Sequence, residues 1–305
     1  MNDLSAIMYT FGHPDGFLDF AQPPEVAYLM PPLVSVIVPT FNSSSTIQPC
    51  LESLRTQSYG SIEIIVVDNN SRDETNRIVR SFGLEALTAG PERSSQVNLG
   101  VQLAKGQYVY RVDSDFIVDR DVIKECVEQC ERNQLDAIAV HNVSDPRVSF
   151  WSRVRKFERD MHKGGEGNIA VRFVRTEVWL ALGGLDESLV AGEDYDFHNR
   201  FVRKGFRYGF VQSTELHLGE PKTLKDVALK HYKYGKTILK YARKDPAAAS
   251  VQLSPLRLGY VRNISQFTDP TMMAGLIVYQ VVRYIAALAG IGASLSIRGE
   301  SGFRC

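Results

Sequence analysis

The sequence predicts an α/β domain over 33–220, a mostly parallel sheet flanked by helices, with an N-terminal extension over 1–32 and a helical region over 221–305. Short β-branched runs alternate with segments of helical spacing, the pattern of βαβ units. Polar residues gather just after the C-terminal ends of those runs, where open α/β sheets bind ligands. No Gly-x-Gly-x-x-Gly or P-loop pattern interrupts the alternation, which argues against a dinucleotide-binding fold or a P-loop NTPase.

Residues 1–32 are punctuated by Pro14, Pro23, Pro24, Pro31 and Pro32 and read as an irregular extension. The run from Val34 to Pro39 has the length and β-branched content of a buried strand. Ile47, Leu51 and Leu54 then recur at helical spacing within 46–56, with Ser45 or Thr46 available as N-cap. A second strand, 62–67, ends in Asp68-Asn69-Asn70-Ser71, and a helix over 73–82 turns Ile78, Val79 and Phe82 inward. A short strand is expected at 84–88, a helix at 94–104 and an alternating strand at 107–112 that runs into Asp113-Ser114-Asp115. A helix over 119–132 and a strand over 137–140 follow, and 145–220 reads as loop-rich.

The 35 basic and 35 acidic side chains balance, so bulk charge points to no nucleic-acid partner and leaves local clusters to decide. Cys50, Cys126, Cys130 and Cys305 are too scattered for a disulfide scaffold. Cys126 and Cys130 share a helical face but lack further ligands at zinc spacing, so reduced core thiols are expected. The start carries Asp3 and no basic stretch before an apolar run, so a secretory signal is not expected and a cytoplasmic location is.

Two carboxylates at i and i+2 beyond a strand, as in Asp113 and Asp115, can converge on one divalent ion if the chain turns between them. Mg²⁺ and Mn²⁺ take oxygen ligands and complete their shells with substrate phosphates. Such an ion stabilises the charge that develops on a departing diphosphate. Acidic pairs also occur as solvated surface residues, so the spacing alone names no site.

The ordered set Val34-Ser-Val-Ile-Val-Pro-Thr-Phe-Asn42, Ile64-Ile-Val-Val-Asp68, Asn98-Leu-Gly100, Asp113-Ser-Asp115, Gly183-Gly-Leu-Asp-Glu187 and Glu193-Asp194 resembles the family-2 glycosyltransferases of GT-A fold across 33–220. The resemblance implies an inverting transfer of a sugar from a nucleotide diphosphate donor, uridine first and guanosine next, to a hydroxyl acceptor on a glycan or a lipid-linked molecule. It implies Mn²⁺ or Mg²⁺ as cofactor. Pro39, Thr40, Asn42 and Asp68 are expected beside the nucleoside, although Pro39 also suits strand termination and Asp68 a turn cap. The family often has a second acidic residue where this chain has Asn69. Arg93 is expected to offset phosphate charge or to be a solvated loop residue, and Arg111 to pair with Asp113 rather than contact substrate. Asp113 is expected at ribose and metal, Asp115 on the metal, and His217 as a further metal or phosphate contact.

In the resemblance Asp194 matches the base that deprotonates the acceptor, with Glu193 and Gly184 on the acceptor side and Gly192 leaving room for substrate. Glu193, Asp194 and Asp196 equally suit the first turn of a helix. Trp179 is expected in the core rather than on a sugar. The alternatives are a retaining transferase, a nucleotidyltransferase, or a silent relative that binds nucleotide sugars or scaffolds a complex. A nucleotidyltransferase needs a basic Gly-rich loop after the first strand, and Thr40–Ser45 holds no basic residue. The intact carboxylates count against silence.

Seven lysines and one arginine stand between 222 and 244 against Asp226 alone, which suits a solvated helix or a surface for anionic lipid. Residues 271–297 are apolar but carry Gln280 and Arg283 near the middle, so an interfacial or re-entrant hairpin, or burial on a partner chain, is expected rather than a clean span. Together these predict peripheral association of 222–297 with the cytoplasmic face of a membrane, and an oligomer is compatible with them.

Overall fold

Strand β1 (Val34–Thr40) is buried along its whole length, and its side chains divide by parity. Val34, Val36 and Val38 enter one core with Tyr108, Tyr110 and Val112, while Ile37 enters another with Val109. A sheet covered on both faces produces that period-two split, and it explains the nearly unbroken apolar run. The computed structural model describes residues 30–161, 170–255 and 269–301, with side chains of the last helix described as far as 296. All of the predicted extension before residue 30, and Cys305, lie outside the described residues.

Helix α1 (Ile47–Arg55) follows β1, then β2 (Ile62–Asp68), α2 (Thr75–Ser81), β3 (Ala86–Thr88), α3 (Arg93–Leu103) and β4 (Tyr108–Arg111). In the sheet, β3, β2, β1 and β4 lie side by side and parallel. The first core packs α1 and α4 (Val122–Asn133) on one face; the second packs α3, α6 (Thr176–Ala181) and α7 (Glu193–Arg203) on the other. Cys50, Cys126 and Cys130 are buried and free.

Beyond β4 the sheet turns mixed. β5 (Phe116–Val118), β6 (Ala137–Ser144), β7 (Phe173–Arg175) and β8 (Tyr208–His217) extend it in the order β4-β7-β6-β8-β5. β7 is antiparallel to β4 and β6, and β5 to β8, while β6 and β8 run parallel. The stretch read as loop-rich therefore holds two strands and helices α5 (Phe150–Asp160), α6 and α7. β7 and β5 are three residues each, too short to show a period. β8 spans ten residues, but alternates buried and part-exposed positions with Thr, Ser, Gln and Glu, and pairing rather than hydropathy defines it.

Helix α8 (Leu224–Lys244) starts at a capping box of Thr223 and Asp226, and α9 (Pro246–Gln252) follows it. Of the two expectations, a hairpin or a helix buried on a partner chain, the hairpin is not formed: the last helix, α10 (Pro270–Ser301), is one continuous rod, and it packs on α8 and α5 of its own chain. Backbones meet where they cross: a Cβ on Gly235 would stand 2.1 Å from the Ala287 carbonyl oxygen, and one on Gly290 2.2 Å from that of Tyr232. The polar pair that interrupts the apolar run is absorbed there. Arg283 and Gln280 both reach Glu158 of α5, at 3.1 and 3.0 Å. Between Pro270 and Ser296, α10 is long and apolar enough to cross a membrane, and 28% of its most apolar window is buried. Ile277, Val281, Ile285 and Leu288 are among its exposed side chains.

Candidate active site

The parallel strands deliver their C-terminal ends to one edge, where Thr40 stands opposite Asp68. Pro39 fits inside this central strand because β4 pairs with β1 only as far as Ile37. Alternation aims the missing N–H of Pro39 to the β4 side, beyond that last pair. Pro39 and Thr40 are buried, so neither presents its side chain to solvent. Gln96 of α3 donates to the carbonyls of Thr40 and Val67 at 2.9 and 2.6 Å and ties the two exits together. Asn42 adopts a left-handed φ of 48° and joins the two exit loops. Its N–H donates to Ser71 Oγ at 2.8 Å, and its Oδ1 accepts from the Arg72 N–H at 2.9 Å.

Asp68 is buried, and its carboxylate is taken by its own turn. It accepts from the Ser71 N–H at 2.8 Å, from Ser71 Oγ and from Asn76 Nδ2 at 3.0 Å. Asn69 donates to the Pro91 carbonyl at 2.6 Å. Phe41, passed over in the sequence, is 57% exposed between Thr40 and Asn42. An aromatic residue at a polar strand exit was the signal that could have singled it out.

After β4 the chain turns, with the Phe116 N–H donating to the Asp113 carbonyl at 3.0 Å. Ser114 Oγ meets Ser43 Oγ at 2.8 Å, which fixes this turn against the β1 exit. Asp113 Oδ2 is 3.2 Å from both Arg93 and Arg172. Burial pushes the Asp113 carboxyl up, but Arg93, Arg172 and Arg111 outweigh it and hold it well below the usual carboxylate range. The expected Arg111–Asp113 ion pair is not made; Arg93 and Arg172 occupy the carboxylate instead. Arg111 is buried with its Nε and one Nη unpartnered, and burial first, then Arg172, lowers its basicity. Arg172, on the segment entering β7, also lies 3.4 Å from the buried Glu215 and 4.8 Å above the Phe116 ring. Sequence reading missed both Arg172 and Glu215, because β7 and β8 bring them in from far along the chain.

Arg93, the first residue of α3, bridges Asp113 to Glu193 at the start of α7. It therefore stands at a helix start with two carboxylate partners, while its side chain stays 41% exposed. Gly192 caps α7 at φ 84°, and a Cβ there would meet the Tyr241 ring at 2.7 Å. Tyr241 occupies the space a side chain here would need, and Gly192 itself lines the cavity described below. Asp194 is half-buried in the first turn of α7, where its Oδ1 accepts from the Tyr195 N–H at 2.9 Å, and no described cation pairs with it. Gly184 is buried under Asn98, which bonds both the carbonyl and the N–H of Leu185 at 2.9 Å, and it does not line the cavity below. Trp179 is core, 4.4 Å from the Phe197 ring.

Antiparallel pairing of β5 with β8 sets His217 beside the turn, and His217 Nε2 lies 3.1 Å from Asp115 Oδ2. Glu220 takes the other ring nitrogen at 2.6 Å and is itself held by Arg159 at 2.8 Å. Burial raises the Glu220 carboxyl, but His217 and Arg159 outweigh it and bring it down to about 2. The tautomer that donates Nδ1–H to Glu220 leaves Nε2 facing the Asp115 oxygen, so that the two atoms can serve as ligands of one metal ion. Asp113 Oδ1 is buried without a partner, a further open oxygen. Among the described residues no three His, Cys, Asp or Glu side chains are arranged to hold a metal by themselves. The donor set therefore fits an ion that takes much of its shell from phosphate and water, as Mg²⁺ and Mn²⁺ do.

A cavity of about 630 Å³ opens beside these groups, lined by Arg93, Asp113, Arg172, Glu193, Asp194 and His217. Residues of α5, α8 and α10 line it as well.

The family profile described as Glycosyl transferase family group 2 matches residues 108–297, and the profile Glycosyl transferase family 2 matches 35–179. The uncharacterized glycosyltransferase EpsJ of Bacillus subtilis is 34% identical over 115 residues, covering 36% of this chain and 33% of the relative. The glycosyltransferase AglE of Haloferax volcanii is 25% identical over 197 residues, covering 59% of this chain and 64% of the relative. The matched part thus spans between one-third and two-thirds of these relatives' lengths. Among solved structures, the mannosyltransferase PcManGT of Pyrobaculum calidifontis, in complex with GDP-Man and Mn²⁺, shares the fold. Its TM-score is 0.55 at 22% identity, over 87% of this chain and 81% of that one.

Proposed function

The chain belongs to glycosyl transferase family group 2, and on that premise we propose that it transfers a sugar, with inversion, from a nucleotide diphosphate to an acceptor hydroxyl. One observation carries the reading: a single cavity holds Asp113 at the β4 exit and Asp194 at the start of α7, with Arg93 joining the two sides through Glu193. The strand exits support the nucleoside. Asn42 and Asp68 fix the loops there, and Phe41 offers a face on which a base stacks. The arginines Arg93 and Arg172 face the diphosphate side with Asp113 between them.

Asp115 and His217 would hold a divalent ion, with Asp113 Oδ1 nearby; such an ion stabilises charge on the departing diphosphate. PcManGT, which shares the fold, was solved with Mn²⁺, and this supports the assignment. In the chemical step the acceptor oxygen forms a bond to the anomeric carbon while the bond to the diphosphate oxygen breaks. The diphosphate leaves with the electron pair, and the acceptor proton passes to the Asp194 carboxylate. Attack from the side opposite the leaving group inverts the centre.

Thermal unfolding in a panel of nucleoside diphosphates, with and without Mn²⁺ or Mg²⁺, tests the donor site. A ligand that binds only the folded state raises stability by mass action. The expected result is a rise in Tm for one base, uridine first, that requires the metal. No rise with any diphosphate, in either metal, would sink the reading.

A further inference from the structure

Helices α8 and α10 carry a surface that the transfer reaction leaves unused. From Val227 to Lys244, α8 has no acidic residue, and α10 has none between Pro270 and Ile297. Outside the catalytic cavity, a groove of about 320 Å³ lies between the two helices and the 188–190 loop. Lys236, Lys240 and Arg243 line it with Ser188, Val190 and Leu295, and no carboxylate does. All three cations are exposed, and none makes an ion pair among the described residues. Neighbouring carboxylates do not cancel them. Lys244 holds Asp186 and Asp196, Arg200 also holds Asp196, Arg203 holds Asp245, and Arg93 holds Glu193. Only Glu187, bonded to Asn98 at 2.9 Å, and Asp194, on the catalytic cavity, are left to set against Lys233, Lys236, Lys240 and Arg243. The balance stays positive.

The outer face of α10 continues from the groove in apolar residues. Ile277, Val281, Ile285, Leu288 and Leu295 are exposed, and their helical spacing sets them on one face. Leu295 stands roughly five turns and 27 Å beyond Ile277. The opposite face is fixed to the domain. Arg283 and Gln280 reach Glu158, Tyr284 donates to the Leu253 carbonyl at 3.3 Å, and Gly235 and Gly290 admit the crossing with α8. A helix held in this way cannot cross a bilayer without drawing the cations of α8 into hydrocarbon, which is costly. It can lie in the interface plane, apolar face down and basic edge on the headgroups. A second copy docked here by two-fold symmetry would bring the same cations to the contact, with no carboxylate of α10 or of this part of α8 to meet them.

We infer that this surface docks on an anionic bilayer, with α10 lying flat in the interface and Lys236, Lys240 and Arg243 binding phospholipid headgroups in the groove. The docking stands apart from the donor chemistry. Val190 lines both the groove and the catalytic cavity, so docking places that cavity next to the bilayer.

Co-sedimentation of the full chain with vesicles tests the site, using phosphatidylcholine alone or with about a fifth of it replaced by phosphatidylglycerol. We expect binding to the anionic vesicles only, weakening as salt rises. Lys236→Ala with Lys240→Ala should weaken it about 25-fold, about fivefold for each cation at the surface. Lys105→Ala with Lys124→Ala removes the same charge from exposed positions before β4 and on α4, and should change binding less than about twofold. Ile277→Ser with Ile285→Ser should abolish sedimentation and leave Tm unchanged, because both side chains already meet solvent. Equal binding to the two kinds of vesicle, or equal losses in the two lysine pairs, overturns the headgroup site. Full binding by the serine variant overturns the docking of α10. Release by inorganic phosphate, at ionic strength matched with sodium chloride, overturns the lipid assignment in favour of a soluble anion. A native dimer that ignores vesicles and that the serine variant dissolves gives the face to a second copy instead. Nucleoside diphosphate protection is measured on the same samples. Its survival alongside lost vesicle binding rejects this inference alone, and its absence alongside intact vesicle binding rejects the transferase reading alone.

Discussion

At the exits of β1, β2 and β4, most polar side chains already answer one another: Asp68 is taken by Ser71 and Asn76, Asn42 by the next loop, and Gln96 by two carbonyls. Along α5, α8 and α10, Arg155 and Arg283 share Glu158, Arg159 shares Glu220 with His217, and Lys230 stands without an ion-pair partner among the described residues. The first region is set before any ligand arrives, so its dipoles need little reorganisation during reaction. The second holds its arginines on shared carboxylates. Asp194 lines the cavity along which both regions lie, and altering it gives the sharpest test of the comparison.

Replacing Asp194 with Asn keeps the shape and removes the base. We expect kcat to fall about a thousandfold, within the range of general-base catalysis, while nucleoside diphosphate protection persists. Turnover within a few-fold of the wild type would move the base elsewhere. Replacing Arg172 with Ala attacks the preset side, because it strips a buried cation from both Asp113 and Glu215. Breaking a buried pair in this way costs about 3–5 kcal/mol, to be read from chemical denaturation. A cost below about 1 kcal/mol, the range of exposed pairs, would show that Arg111 and Arg93 compensate fully.

The smallest effect concerns the side built by α5, α8 and α10. The unfolded chain protonates His231 at about 6.5, whereas in the folded chain burial and the neighbouring cations lower that value to about 3. Below pH 6.5 the unfolded state therefore binds the extra proton, and this contribution to stability declines as pH falls toward 3. The shifted carboxylates Asp113 and Glu220 act in the same direction only lower, below their ordinary values near 4. His231→Gln should flatten the stability profile between about pH 6.5 and 4.5. An unchanged slope there would mean that the ring does not feel the cationic cluster.

Legibility in the sequence followed the range of the interactions. The parallel strands and their helices were readable because burial on both faces produces β-branched runs, and helical spacing marks the segments between them. The Asp113 turn and the α7 start at Glu193 and Asp194 were readable because the chemistry lies within a few residues of a strand or helix end. Arg111 was misjudged: adjacency on the strand suggested a pairing with Asp113 that Arg93 and Arg172 make instead. That a side chain on Gly192 would meet Tyr241 of α8 is likewise invisible along the chain. Arg283 looked like a flaw in an apolar segment until Glu158 of α5 came to meet it.

By itself, then, the sequence determined the α/β class, the strand exits as the functional edge, and the carboxylates placed there, since periodicity and local turns encode all three. Tertiary structure alone decided which charges meet. The mixed half of the sheet and the crossing of α10 over α8 join residues such as Asp115 and His217, 102 positions apart, or Glu158 and Arg283, 125 apart. Electrostatic energy depends on separation in space, and no pattern along the chain records that distance.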